Sequence, residues 1–364
     1  MVLKNAAVFL ENRFEICDIA VENGKIAAIG ADLGPGEDCT GLRLLPGLVD
    51  IHTHGCAGYD FDHADRQQLA EMSACYLRHG VTAVLATLMT NPRDLLLEAA
   101  ARCGSAPAPI RGIYLEGPFF GPAKKGAHDA QYLTPVDPDF FAALDEAAGK
   151  NIRIVAVDPC LEGAAEFIRA VSKSKRVTLA HTPATYDQAQ CAFAAGATQV
   201  THLFNAMTGL AHREPGLVGA ALSGDCLAEV ICDGIHIHPA VLKTAFKALE
   251  SRGLVISDSM AACGLEDGEY ALGGQAVTVK GPRATLADGT LAGSVTFAWD
   301  GMVNLIRAGV PAEQAVAAAT CVPAESAGLA ETCGTIAVGR DADLVLCDEN
   351  WAIRRVWLAG QAVS

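Results

Sequence analysis

The feature that most constrains this chain is a regular series of short apolar runs separated by helix-like stretches. The runs fall at residues 48–51, 81–86, 111–115, 152–157, 177–180, 198–201, 228–231 and 254–257. Most are followed by segments of helical character, such as 65–78, 163–172, 186–195 and 239–251. Eight strands alternating with helices predict parallel βα units and a closed (β/α)₈ barrel. A doubly wound open sheet would share the pattern, but no GxGxxG follows the first run to favour it.

The two ends of the chain read differently. Strands on either side of Glu22-Asn23-Gly24 predict a hairpin, because Asn-Gly supplies the positive φ angles of a tight turn. Residues 342–347 and 353–358, followed by Gly360, have the same character. The expectation is a small β-sandwich built from both ends, residues 1–46 with 336–364, around a catalytic barrel spanning 47–335. A barrel of about 250 residues plus a smaller unit accounts for the length of 364 residues.

Charge and cysteine usage exclude several function classes. The formal net charge of −15 repels nucleic acid and anionic membrane, so neither is an expected partner. Thirteen scattered cysteines contain no CxxC pair, which argues for reduced thiols rather than a zinc finger or disulfide framework. The N-terminus lacks the layout of a signal peptide, and no run of 18 apolar residues is present; the expected location is the cytoplasm.

The chemistry-bearing residues sit just past the apolar runs. The first run ends in Asp50-Ile51-His52-Thr53-His54, and alternation along a strand turns His52 and His54 to one side. Glu116 follows the third run, His181 the fifth, His202 the sixth and Asp258 the eighth. Barrel active sites lie on the rim formed by the C-terminal ends of the strands, so these six side chains converge on one mouth. A lone histidine at a strand end is more often a hydrogen-bonded rim residue than a ligand. The signal here is the recurrence of four histidines and two carboxylates at equivalent ends of different strands. Imidazole and carboxylate suit zinc or a comparable divalent ion such as iron, manganese or cobalt. Such an ion supplies hydroxide at neutral pH, and a neighbouring carboxylate, Asp258, can carry its proton to a leaving nitrogen.

At these residues the chain resembles the amidohydrolase superfamily and, within it, the deacetylases acting on N-acetylglucosamine 6-phosphate. The resemblance is carried by the stretches HTHGCAGYD from His52, LEGPFF from Leu115, KKGAH from Lys124, THLFNAM from Thr201, REPG from Arg213, DGIH from Asp233 and GTIAVGRDADLVL from Gly334. They run through nearly the whole chain in the family's order. The resemblance implies deacetylation of N-acetyl-D-glucosamine 6-phosphate to glucosamine 6-phosphate and acetate by metal-activated water. It implies Glu116, His181 and His202 as principal metal ligands, with His52 and His54 allowing a second ion, so one or two per subunit. It makes Asp258 the general base and acid. His128 would contact the sugar and acetyl group; Asn205, Ala206, Arg213 and His236 would form the phosphate site; Leu291, Gly293 and Ser294 would cover the substrate; Ala127 and Asp233 are implied as further substrate-binding residues. A homodimer with a shared active site is also implied.

The sequence departs from other amidohydrolases in having no lysine at the end of the fourth run to bridge two metals, a place Glu116 can take. It also reads Ser257-Asp258-Ser259 where many relatives have Thr-Asp-Ala. Lys124, Lys125, His128, His212 and Arg213 form a cationic exception in an acidic chain, either phosphate contacts or solvated loop charges. Among them Arg213 is the strongest phosphate candidate, because a guanidinium forks onto phosphate oxygens. Three alternatives stand: the same reaction on the galactose epimer, a different amidohydrolase such as an N-acyl amino acid deacylase, and a barrel kept only as an assembly module.

Overall fold

A computed structural model describes residues 1–363; Ser364, the last residue of the expected terminal β-unit, lies outside the described residues. All eight expected barrel strands form, at Leu48–Thr53, Val81–Leu88, Ile110–Leu115, Ile152–Val157, Arg176–Leu179, Gln199–Val200, Leu227–Ile231 and Gly253–Ile256. They pair in parallel in sequence order. The seam between the eighth and first strands is closed at its upper end, where the Asp258 N–H donates to the His52 carbonyl at 2.9 Å. A helix follows each strand, from Arg66–Arg78 to Ala298–Arg307. Asp65 caps the first helix reciprocally with Gln68, and Thr185 caps the fifth in the same way with Gln188, so side-chain chemistry sets these helix starts.

The barrel interior is filled by inward side chains including Val49, Ile51, Ala83, Leu85, Tyr114, Ile154 and Ile256, with Ala324, Ala327 and Leu329 packed against them. One departure from simple alternation matters. The ladder between the first and second strands slips between Asp50 and Thr53. Ile51 packs in the interior, while Thr53 turns outward to share a hydrogen bond with the Tyr76 hydroxyl on the first helix. A bulge of this kind re-aims the next side chains, and His52 and His54 both reach the mouth.

The chain ends form a small β-sandwich in which both layers belong to one continuous sheet. Its hairpins at the N-terminus join Val2–Leu10, Arg13–Glu22 and Lys25–Gly30, and it extends through Arg43–Pro46 to Leu344–Cys347 and Ile353–Leu358. Asn23 and Gly24 both have positive φ, as the turn chemistry requires. The sheet curls over a core of Leu3, Val8, Ile19, Ile26, Leu344 and Trp357. All thirteen cysteines are free thiols, nine of them buried.

One element was not expected. Between the eighth strand and its helix lies a three-stranded antiparallel sheet, Gly268–Leu272, Gln275–Lys280 and Arg283–Thr285. It packs Leu272, Val277 and Ala284 against Met89, Ala127 and Met260, and so stands beside the barrel mouth. The signal was present in the alternating residues around Gly273-Gly274, a hairpin pattern.

Candidate active site

Glu116 lies at the centre of the mouth, almost fully buried at 2% exposure. Its Oε1 is 3.2 Å from His181 Nε2 and 3.1 Å from His202 Nε2, and those two nitrogens are 3.2 Å apart. A tetrahedral ion with ligands at 2.0–2.1 Å holds its ligand atoms about 3.3 Å from one another. The three atoms therefore already have the mutual spacing of a metal face. The donor set fits a divalent ion chemically as well, with two imidazoles and one carboxylate. The His181 Nδ1 is occupied by the Lys124 carbonyl at 2.9 Å, which leaves Nε2 as the lone-pair nitrogen.

The other carboxylate oxygen serves a second group. Glu116 Oε2 is 3.3 Å from His54 Nε2 and 3.5 Å from His128 Nε2. Asp258 Oδ1 is 3.1 Å from His54 Nε2 and 3.6 Å from His52 Nε2. His52, His54 and Glu116 thus make a second cluster with metal-ligand spacing, sharing Glu116 with the first.

The electrostatics follow from packing carboxylates and imidazoles together out of water. Burial alone would raise the Glu116 carboxyl, but the charge of His52 and hydrogen bonds from His128, His181 and His202 hold it well below the usual range. Burial likewise opposes ionisation of Asp258, yet the His54 hydrogen bond and the charges of His52 and His54 bring it to about 2. Burial, and then the charge of His181, lower His128 to about 4. His128 is therefore a neutral imidazole. Its Nδ1 accepts the Thr90 N–H at 3.4 Å, so the proton resides on Nε2, facing the site.

His181, His202 and Asp258 all adopt positive φ, at 47°, 26° and 50°. Left-handed backbone costs energy in non-glycine residues, and it clusters where function dictates geometry. Here it turns each strand end over the mouth.

The cavity above this centre has a volume of about 280 Å³. Ala127, His128, Asn205, Ala206, His236, Leu291 and Gly293 line it, as the sequence led us to expect. Asp233 stands behind His236, accepting its Nδ1–H at 2.7 Å and two backbone N–H groups. Burial disfavours a charged His236, but the Asp233 hydrogen bond and charge raise its pKa. Ser294 also lies outside the lining; its hydroxyl donates to the Ser257 carbonyl at 2.6 Å and its N–H to the Asp258 carbonyl at 2.7 Å. Arg213 is away from the cavity, on an exposed loop with His212, and among the described residues no lysine or arginine lines the cavity. Lys125 is tied to the carbonyls of Gly126 and His128. Met89, Gly126, Leu272 and Thr290 complete the walls. These were not anticipated, since nothing in an apolar or small residue announces a binding role before its neighbours are known.

Comparison with known proteins agrees with the geometry. The profile of the amidohydrolase family matches residues 43–363. An N-acetylglucosamine-6-phosphate deacetylase from Vibrio furnissii is 35% identical, over 99% of this chain and 91% of its own. An N-acetylgalactosamine-6-phosphate deacetylase from Escherichia coli O157:H7 is also 35% identical, over 95% of this chain and 94% of its own. Among solved structures, a variant of the Mycobacterium smegmatis N-acetyl-D-glucosamine-6-phosphate deacetylase bound to N-acetyl-D-glucosamine-6-phosphate superposes with a TM-score of 0.94 at 31% identity, covering 100% of this chain and 99% of its own. The chain belongs to the amidohydrolase family, and its full-length likeness is to the amino-sugar-phosphate deacetylases within it.

Proposed function

We propose that this protein hydrolyses the acetamide of N-acetyl-D-glucosamine 6-phosphate, releasing acetate and D-glucosamine 6-phosphate. The observation that carries the reading is the meeting of Glu116, His181 and His202 with Asp258 and His128 at one cavity, in a chain similar to deacetylases over its whole length. Glu116, His181 and His202 would hold a divalent ion, zinc first among zinc, iron, manganese and cobalt. When bound, such an ion polarises a carbonyl and lowers the pKa of water towards about 7.

The chain's own residues do the rest. Asp258, ionised through the neutral range, takes a proton from the attacking water and delivers it to the departing amine nitrogen. His128 presents Nε2–H to the acetyl oxygen as negative charge develops there. Leu291 and Gly293 roof the sugar, and Ser294 pins that segment to the eighth strand. His236, oriented by Asp233, would face the phosphate. Phe204 and Ala206 have positive φ on either side of Asn205, the alternation that makes backbone anion nests. The Asn205 N–H is spent on the His202 carbonyl at 2.9 Å, which fixes the turn, so Ala206 is the residue of this pair that would offer its N–H to a phosphate oxygen. Arg213 would complete the phosphate site from a neighbouring subunit, which implies a homodimer. A cytoplasmic location fits the free thiols and the acidic, intracellular type of metabolite.

The galactose epimer is the second reading, favoured by the equal identity to the Escherichia coli enzyme. Acetate release is the test, measured with N-acetylglucosamine 6-phosphate, N-acetylgalactosamine 6-phosphate and their unphosphorylated forms. We expect the highest kcat/KM on the glucosamine phosphate. A preference for the galacto compound would move the assignment to the epimer, and equal rates on unphosphorylated sugars would overturn the phosphate site.

A further inference from the structure

The seventh barrel strand, Leu227–Ile231, is apolar except for Glu229, whose side chain is fully buried. A buried carboxylate is costly unless its oxygens are satisfied. Those of Glu229 are. Gln199 Nε2 donates to Oε1 at 2.5 Å, and His52 Nδ1 lies 2.8 Å from Oε2. The His202 N–H also approaches Oε2, at 3.4 Å. Gln199 is held in turn by the Ser326 hydroxyl, 2.5 Å from its Oε1. Neither Glu229 nor Gln199 lines the cavity, and His52 is the one ion-pair partner of Glu229 among the described residues. The function described so far makes no use of Glu229.

The consequence falls on His52. A carboxylate oxygen can only accept, so Nδ1 must be the nitrogen that carries hydrogen. Nε2 is then the ring nitrogen left for the mouth, and it is a lone-pair donor whenever the ring is neutral. That atom is buried, has no hydrogen-bond partner, and faces Glu116 Oε1 at 3.5 Å and Asp258 Oδ1 at 3.6 Å. Between two carboxylate oxygens that position calls for a cation, the ring's own second proton when no ion is bound and a metal ion when one is. The strand-end alternation that brings His52 to the mouth is therefore not sufficient; the ring must also be turned and its tautomer chosen.

We propose that Glu229 is the positioning residue that makes His52 a metal ligand, so that the ion site shared by His52, His54 and Glu116 depends on a carboxylate two strands away from any ligand of its own. The inference rests on the metal-centre reading above. Gln199 and Ser326 hold Glu229 in register, and the His202 N–H contact ties the same carboxylate to the other ligand set. Outer partners of this kind set ligand orientation and basicity, and losing one costs about 10–100-fold in metal affinity.

The experiment titrates Co²⁺ and Zn²⁺ into the metal-free full-length protein by calorimetry, with the cobalt visible spectrum recorded alongside. Wild type, Glu229→Gln, His52→Asn and the double variant are compared. Wild type should take up two ions. Glu229→Gln should weaken one of them by about 10–100-fold and leave the other within about twofold. The double variant should bind no more weakly than His52→Asn alone, because both changes remove one interaction. In wild type, a downfield proton resonance from His52 Nδ1–H should be present, and Glu229→Gln should shift or remove it. If Glu229→Gln fails to fold, Glu229→Asp keeps the charge but shortens the reach, and carries the same comparison. Two ions bound by Glu229→Gln with native affinities would overturn the role of Glu229, as would an equal weakening of both ions. A wild type that binds only one ion would instead overturn the two-site arrangement itself.

Discussion

The backbone N–H of Asp258 donates to the carbonyl of His52 at 2.9 Å, across the seam where the eighth strand meets the first. Barrel closure and assembly of the site are thus one event. The same seam brings Asp258 Oδ1 to 3.1 Å from His54 Nε2, so the proposed proton carrier and the first-strand ligands are placed by a single strand pairing.

Replacing Asp258 by Asn should lower kcat by about 10²–10⁴-fold or more, since one group serves as both base and acid. The Glu116, His181 and His202 ligand set is left intact, so elemental analysis should still find metal. Because the carboxyl is held at about 2, below its usual value, it stays ionised as pH falls and loses its charge only near that pH. An acid limb in the wild-type rate profile above pH 4 should therefore survive in residual activity of the variant. A near-native kcat would assign the proton to another residue.

The doubly substituted His52→Asn, His54→Asn protein should lose the more weakly held ion and keep substantial turnover at saturating metal. The reason is that Glu116, His181 and His202 form a complete face without them. Metal stoichiometry and kcat decide the matter together. Complete inactivation with an unchanged fold by circular dichroism would make the two-ion form the working one.

Arg213 is exposed and outside the cavity of its own subunit, so its effect on the phosphate should appear only across an interface. Arg213→Ala should reduce kcat/KM on the phosphorylated substrate by about ten- to a hundredfold, the worth of one charge-assisted hydrogen bond, and leave an unphosphorylated analogue nearly unaffected. Mixing Asp258→Asn with Arg213→Ala subunits should restore part of the activity, because one site of each mixed dimer then has both native residues. No recovery after demonstrated subunit exchange would rule out the shared arginine.

Asp62 offers a test of pH-dependent stability. It is buried, accepting the Met89 N–H at 3.2 Å. Burial, and then the charge of Asp60, push its carboxyl up to about 7. The folded protein thus holds this proton to higher pH than the unfolded chain does. Stability from this group is lost as pH rises from about 4 towards 7, by an amount on the order of a few kcal/mol. Asp62→Asn should remove that loss, so its Tm advantage over wild type should widen between pH 5 and pH 8. A pH-independent difference would show that Asp62 does not titrate in this window.

Much of the architecture was legible in advance, for local reasons. Apolar runs bounded by turn residues mark strands, Asn23-Gly24 marks a hairpin, and histidines and carboxylates directly after the runs mark the mouth, because chain direction alone puts every C-terminal strand end on one rim. The three-stranded insertion was missed although its alternation was visible, since a regular βα count leaves no place for it. Glu229 carried a weak signal, a charge inside an apolar run. Its role was hidden because it depends on which strand lies opposite.

What the sequence determined by itself was the periodicity: eight parallel strands, two paired ends, and six polar side chains at strand ends. What the tertiary structure alone decided was distance and direction. The slip between Asp50 and Thr53 turns both histidines of the first strand inward. The positive φ of His181, His202 and Asp258 bends three strand ends over the mouth, and Glu229 and Lys124 choose which imidazole nitrogens face the centre. Arg213, placed beside the phosphate residues by resemblance, is set apart from them in the single subunit. The physical reason is that periodicity is a property of neighbours along the chain, whereas a ligand set is satisfied only by atoms about 3 Å apart that come from residues as distant in sequence as His52 and His202, and such spacing exists only once the barrel has closed.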